Sequence, residues 1–225
     1  MLFYDYTFLM LIPAMIFAFY AQFKVSSTFE KYSKIRTSSG ISGKVLARDL
    51  LDRNGLGDIE VRPAQGRLTD NYDPRDKTIN LSGDIYSGSS ISAAGITAHE
   101  ISHAVQDKES YFPLKIRSSI VPVSSLGSNL SIPLFIAGLI FGYGPLMDAG
   151  IILFSLAVAF TVATLPVEFN ASKRAVAMLT ESGHLSSREI GLAKKVLDAA
   201  ALTYVAATAM AMLQLLRLVI LRGRR

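Results

Sequence analysis

Long stretches without charged side chains restrict the structure of this chain more than any other feature of its sequence. Residues 7–23 carry no charge, and extension back to Leu2 gives a run with one acidic side chain, Asp5. A bilayer core of about 30 Å is crossed by a helix of roughly 20 apolar residues, which this run provides. The basic start of a secretory signal peptide is missing. Residues 1–23 are therefore predicted to form a retained transmembrane anchor.

The longest apolar region, residues 129–167, contains a single charged residue, Asp148. It predicts a transmembrane hairpin with spans at 130–147 and 151–167 and a turn at 148–150. Residues 199–225 are interpreted as a C-terminal apolar helix and a basic tail, and the sequence leaves open whether 199–221 form a fourth span. A small soluble domain cannot bury runs of this combined length, so the chain is predicted to be a membrane protein.

The distribution of charge favours a particular membrane topology. The net charge is +5, from 23 basic and 18 acidic residues. Six basic residues, against two acidic ones, lie between Lys24 and Asp49, and the positive-inside rule places such a segment in the cytoplasm. Basic and aromatic residues are not interleaved, so nucleic-acid binding is not indicated. The C-terminal tail is also basic (Arg217, Arg222, Arg224, Arg225), so the same rule favours a cytoplasmic tail. A fourth crossing would place this tail outside, which conflicts with the rule.

Most polar residues lie within 24–128, which is predicted to be a compact region. Helical spacing of apolar residues predicts a helix over 41–53, and alternation predicts strands over 58–63 and 77–81. A Ser/Gly-rich loop precedes a further helix, for which Ser90 or Ser92 is the expected cap. The predicted fold class is mainly α with a small β-sheet (α+β), in which integral membrane helices accompany a compact domain.

The helix after this loop carries the motif H-E-x-x-H at His99, Glu100 and His103. Residues four apart lie on one face of a helix, so both imidazoles can bind one ion. The chain has no cysteine, so a metal must be held by His, Asp or Glu, and zinc suits imidazole ligands. Zinc lowers the pKa of water toward about 7, and Glu100 is placed to take the proton as a general base. The motif therefore predicts hydrolysis of a carbonyl compound.

A catalytic zinc site needs a third protein ligand. The candidates are Glu168, Glu181, Glu189 and His184, the last being the remaining histidine of three. Glu168 is favoured because it directly follows the apolar hairpin and opens the predicted helical segment 168–198. The other interpretation of Glu168 is a charge that interacts with a helix dipole.

Three segments carry a resemblance to a known family: G-R-L-T-D-N-Y-D-P-R at 66–75, H-E-I-S-H-A-V-Q at 99–106 and P-V-E-F-N-A-S at 166–172. With the N-terminal span and A-A-L-T-Y-V-A-A at 200–207, they resemble the neutral zinc metallopeptidase family of bacterial membranes over nearly the whole chain. That family is similar to gluzincin membrane proteases of the heat-shock and CAAX-processing type. The resemblance implies a zincin-like catalytic region within 24–128.

The resemblance also implies a Zn2+ ion held by His99, His103 and Glu168, with Glu100 as the general base. In the related proteases, the third ligand begins an E-x-x-x-D pattern whose Asp orients a ligand histidine. The corresponding residue here is Ser172. Such an orienting group is therefore missing from this chain or comes from another position.

Substrate contacts follow by analogy with zincins. The predicted strand over 77–81 is expected to be an edge strand that pairs with an extended peptide. The candidate donors to the oxyanion of the transition state are Asn170, Arg174, His184 and Tyr204.

These features predict a membrane-bound zinc metalloendopeptidase, multi-pass in the bacterial cell (inner) membrane, with its active site on the cytoplasmic side. The expected partners are a peptide or membrane-protein substrate and the lipid bilayer; a membrane protein complex or a homo-oligomer is left open. The alternative is a zinc-containing membrane scaffold or adaptor with little or no proteolytic activity, which the serine at 172 favours. A zinc hydrolase of lipids or amides is a third interpretation.

Overall fold

The computed structural model describes residues 6–224, without the side chains of residues 122, 123, 125, 126 and 128. The predicted fold class, mainly α with a small sheet, is confirmed. The parts of the predicted anchor and tail at residues 1–5 and 225 lie outside the described residues. In chain order, the elements are a 3-10 turn at Tyr6–Leu11, α1 at Ile12–Ser33, α2 at Gly43–Arg53, β1 at Glu60–Ala64, β2 at Asn71–Asp73, β3 at Thr78–Ser82, α3 at Gly83–Tyr86, α4 at Ile91–Lys108, α5 at Phe112–Phe141, α6 at Gly144–Ser182 and α7 at Ser187–Gly223.

The chain divides into two compact units. The first, which we call the helical unit, comprises Met1–Gln22, Phe112–Pro166 and Thr203–Arg225. The second, which we call the mixed unit, comprises Phe23–Tyr111 and Val167–Leu202. All three named strands, helices α2 to α4 and the predicted site residues His99, Glu100, His103 and Glu168 belong to the mixed unit.

Three helical segments of the described chain are long and apolar enough to cross a membrane. They are Tyr6–Ser33, Gly144–Ser182 and Ser187–Gly223, and α5 adds a shorter apolar segment at Asn129–Phe141. The segment 199–221, whose crossing the sequence left open, therefore lies within a helix of sufficient length and hydropathy.

The predicted turn of the apolar hairpin at 148–150 is wrong. The chain reverses at Gly142, which adopts a left-handed backbone with φ of 65°, and the N–H of Tyr143 caps the end of α5 by donating to the Gly138 carbonyl. Gly150 instead lies inside α6, where a Cβ atom would come within 2.7 Å of the Ser131 carbonyl oxygen. Gly150 therefore permits close packing of α6 on α5. The observed turn at Gly142 interrupts the predicted span 130–147.

The acidic residue of the hairpin has a partner at the end of the chain. The Asp148 carboxylate accepts hydrogen bonds from Arg222 Nε at 2.7 Å and Nη2 at 3.0 Å. The start of α6 and the end of α7 therefore lie side by side within the helical unit. Asp148 therefore neutralises one positive charge of the basic tail, that of Arg222. The positive-inside rule counts Lys and Arg and gives acidic residues little weight, so it does not take this ion pair into account.

The sheet has the strand order β1-β3-β2 in the described part of the chain. Strand β3 pairs with β1 in parallel and with β2 in antiparallel orientation, and its Ile79 and Leu81 side chains are fully buried. The predicted strand over 77–81 is therefore central, and the prediction that it is a free edge for substrate is wrong. The edges of this sheet are β1 and β2. Strand β2 has only three residues, next to turn-forming Asp and Pro residues, and so gives no alternating pattern in the sequence.

Helix α2 packs on the face of α4 that points away from the histidines, and Leu46, Leu50 and Ile101 are fully buried in this core. At the start of α2, the Gly43 N–H donates to the carbonyl of Gly88, which lies in the loop between α3 and α4. A Cβ atom at Gly43 would lie 2.1 Å from the Ile85 carbonyl oxygen. Carbon and oxygen atoms that are not bonded to each other do not approach this closely, so any larger residue at this position forces the backbone of α2 or α3 to shift.

We expect Gly43→Ala to lower the free energy of unfolding by about 1–3 kcal/mol, because the added methyl group forces α2 away from α3. Gly191→Ala is the matched control: a Cβ there has no atom within 4 Å, and alanine in a helix stabilises by about 0.5–1 kcal/mol. Thermal unfolding followed by circular dichroism in detergent measures both effects. Equal unfolding midpoints in the two variants would contradict this account of the α2 contact.

Candidate metal centre

Helix α4 presents the two motif histidines on one face. The Ser90 side chain caps the helix by accepting the Ala93 N–H at 3.1 Å, so of the two predicted caps, Ser90 and Ser92, the structure confirms Ser90. The opposite face is fixed in the core by fully buried apolar residues such as Ile101. The His99 and His103 rings are consequently adjacent, with centroids 4.8 Å apart and planes at 86°.

Glu168 on α6 completes the group of ligand atoms. Its Oε2 atom lies 3.2 Å from His99 Nε2 and 3.6 Å from His103 Nε2, and the carboxylate is 3% exposed. With bonds of about 2.0–2.1 Å, a tetrahedral zinc ion separates its ligand atoms by about 3.4 Å, so these distances fit zinc. All three ligand atoms lie within 4.8 Å of one another and could hold a metal ion.

The other predicted third ligands are engaged elsewhere or exposed. Glu189 accepts hydrogen bonds from the backbone and hydroxyl groups of Ser38 and Ser186. His184 Nε2 lies 2.9 Å from Asp49 Oδ2, and Glu181 is exposed at the end of α6. Of the four candidates, the structure places only Glu168 beside both motif histidines.

The electrostatics of the group favour a cation between the three side chains. Burial lowers the pKa of His103, but the hydrogen bond to Glu168 and the charges of Glu100 and Glu168 outweigh burial and raise this pKa overall. A buried carboxylate requires a compensating positive charge, either a proton on a histidine or a metal ion. The donor set of two imidazoles and one carboxylate therefore fits zinc in chemistry as well as in distance.

Glu100 is held by strand β2 rather than by the candidate metal ligands. Its Oε2 atom accepts the Tyr72 backbone N–H at 3.1 Å. The Tyr72 hydroxyl donates to Asp107 Oδ2 at 2.9 Å, and burial together with this carboxylate raises the Tyr72 pKa, so the phenol stays a donor. Strand β2 is thus attached to α4 at two points. A backbone donor leaves no signal in the sequence, so Tyr72 was not predicted as a site residue.

The predicted oxyanion donors have other contacts. Arg174 binds Glu109 at 2.6 Å and donates to Asn170 Oδ1 at 2.7 Å. His184 pairs with Asp49, and Tyr204 belongs to the helical unit. The identity of the oxyanion donor stays a prediction.

Sequence reasoning missed Gln106, which is fully buried beside His103. Its signal in the sequence is a polar residue three positions after His103, on the same face of α4 and preceded by the apolar Ala104 and Val105. Among the described residues, the buried Nδ1 atom of His99 has no hydrogen-bond partner, so the two histidines are supported unequally. This chain has Ser172 at the position where the E-x-x-x-D pattern of similar proteases has the Asp that orients a ligand histidine.

The helix-borne histidine pair and the carboxylate from a second helix define a candidate zinc site of the metallopeptidase class. A family model described as Putative neutral zinc metallopeptidase matches residues 7–223, and the chain belongs to this family. A relative from Bacillus subtilis (strain 168), named Putative membrane protease YugP, is 48% identical over 215 residues, which cover 95% of this chain and 96% of the relative. No solved structure matches the chain.

Proposed function

We propose that the protein is a membrane-bound zinc metalloendopeptidase that hydrolyses peptide bonds, with Glu100 as the general base. The observation that carries this proposal is the close group of His99, His103 and Glu168, on a helix that also carries Glu100. Membership of a zinc metallopeptidase family and a relative named as a membrane protease support the same activity.

The proposed chemistry divides between the ion and the protein. Zinc held by the three ligands would polarise the scissile carbonyl and lower the pKa of the attacking water. Glu100 accepts a proton from the attacking water as the water oxygen bonds to the carbonyl carbon, and passes that proton to the amide nitrogen as the C–N bond breaks. Because the Tyr72 N–H fixes Oε2, the other carboxylate oxygen of Glu100 is available for the proton.

We further propose a multi-pass protein of the bacterial cell membrane with a cytoplasmic active site. Three described helices are long and apolar enough to span, and the basic segment after the first of them satisfies the positive-inside rule. Exposed or misfolded peptide segments near the bilayer, including those of membrane proteins, are the proposed substrates.

Metal removal tests the proposal directly. Purified full-length protein in detergent is incubated with casein, with and without a chelator, and zinc is then restored. We expect cleavage that stops with the chelator and returns with zinc, because the ion supplies the activated water. Fragments are resolved by mass spectrometry.

The alternative function, a zinc-containing scaffold, is favoured by one observation: the buried His99 Nδ1 atom lacks a hydrogen-bond partner within residues 6–224. A poorly oriented ligand lowers metal affinity or activity. A protein that binds zinc but cleaves neither casein nor other unfolded chains under any metal condition would support the scaffold and contradict the peptidase.

A further inference from the structure

Gln106 is a polar side chain without solvent exposure, and each polar atom of its amide has a partner. Its Nε2 atom donates to the Val167 carbonyl and to Asn170 Oδ1, both at 2.9 Å. Its Oε1 atom lies 3.0 Å from His103 Nδ1. The side chain therefore joins a candidate metal ligand on α4 to the stretch of α6 that carries Glu168.

The neighbours of Gln106 determine which way its amide points. A backbone carbonyl can only accept, so the atom that faces Val167 must be the NH2 group. Arg174 can only donate, so Asn170 turns its oxygen toward Arg174, and the same oxygen accepts the second N–H of Gln106. The amide oxygen of Gln106 is consequently the atom that faces His103.

The amide oxygen in turn determines where His103 carries its hydrogen. Because that oxygen can only accept, Nδ1 must carry the N–H. In a neutral ring, the lone pair is then on Nε2, the atom that lies 3.6 Å from Glu168 Oε2. His99 shows the contrast, since its buried Nδ1 has no partner in the described part of the chain.

We propose that Gln106 is a positioning residue that fixes His103 in the tautomer whose Nε2 binds zinc. This inference rests on the proposed function, in that the site must hold zinc. Partners of this kind usually bind the second nitrogen of a ligand histidine, fix its ring orientation and raise its basicity. Here a neutral amide, anchored by Val167 and Asn170, performs the task.

The main test replaces the amide with an apolar side chain of similar length. Gln106→Met is expected to weaken zinc binding by about 10–100-fold, because the preferred tautomer and ring orientation of His103 are lost. Zinc affinity is measured by competition with a chromogenic chelator. The visible absorption of the Co2+-loaded protein reports the ligand geometry and is expected to change as well.

Thr97→Val is the matched control. Thr97 lies on the same helix without solvent exposure, and its Oγ1 has no hydrogen-bond partner among the described residues. Its replacement changes a buried polar side chain of α4 without touching His103. We expect unchanged zinc affinity and an unchanged Co2+ spectrum.

Gln106→Glu separates the histidine contact from the rest of the network. A carboxylate cannot donate to Val167 or Asn170, but it still accepts the His103 Nδ1 hydrogen. Because the proposal assigns the effect on zinc to the histidine contact, zinc affinity is expected to stay close to that of the unaltered protein. If Gln106→Met does not fold, this variant decides alone: retained affinity supports the proposal, and a tenfold loss overturns it.

Two results separate this inference from the proposed function. If the unaltered protein does not bind one zinc ion, the proposed function fails at its first step. If it binds zinc and a folded Gln106→Met variant binds equally tightly with the same Co2+ spectrum, only the role of Gln106 is overturned.

Discussion

Replacement of Glu100 by glutamine is expected to lower peptide hydrolysis by about 10²- to 10⁴-fold, the usual contribution of general base catalysis. The amide of glutamine cannot take a proton at neutral pH, yet its oxygen can still accept the Tyr72 N–H that binds Glu100 Oε2. Zinc content is expected to stay at one ion per chain, because Glu100 is not among the three ligand atoms. Casein cleavage and elemental analysis of the same preparation measure both quantities.

Glu30→Gln provides the control for this substitution. Glu30 is exposed on α1, so the same chemical change there should leave hydrolysis and zinc content unaltered. Full activity in Glu100→Gln would exclude Glu100 as the base, and loss of zinc in that variant would mean that Glu100 supports the metal rather than the proton transfer.

Glu168→Gln is expected to abolish zinc retention and, with it, activity. The carboxylate is buried against both imidazoles, and its charge offsets that of a cation at the site. A neutral amide supplies neither that charge nor the same donor strength, so the loss of affinity should exceed the roughly 10–100-fold cost of removing an outer partner. Chelator competition measures the change.

Glu181→Gln and His184→Gln are the controls for the third ligand. Glu181 is exposed on the same helix, and His184 binds Asp49 rather than the motif histidines. Both variants are expected to retain zinc. Zinc loss in either of them, together with zinc retention in Glu168→Gln, would show that the ligand assignment is wrong.

Features with a local or periodic cause were predictable from the sequence. The fold class, helix α2, strand β3 and the Ser90 cap follow from residue spacing and side-chain chemistry. The grouping of His99 with His103 follows from the helical repeat. The approach of Glu168 was expected because it follows the apolar hairpin, and the family resemblance pointed to the same residue.

Features that depend on packing were not predictable. A glycine at 142 and one at 150 look equally suited to a turn, and only the close approach of α5 and α6 assigns the turn to Gly142. The position of β3 in the centre of the sheet depends on β2, which is too short for a periodic pattern. Gln106 acquires its role from Val167 and Asn170, which are about sixty positions away in the sequence.

The 69 positions between His99 and Glu168 have a consequence for biosynthesis. A growing chain on the ribosome presents both imidazoles long before it contains the carboxylate, and the intervening sequence is largely the apolar hairpin. The complete ligand set therefore cannot exist until translation has passed α5 and has reached Glu168 within α6. The site of the proposed peptidase is therefore incomplete while α5 and the first part of α6 are being made, and α7 is the one long apolar helix of the described chain that is translated after the last ligand.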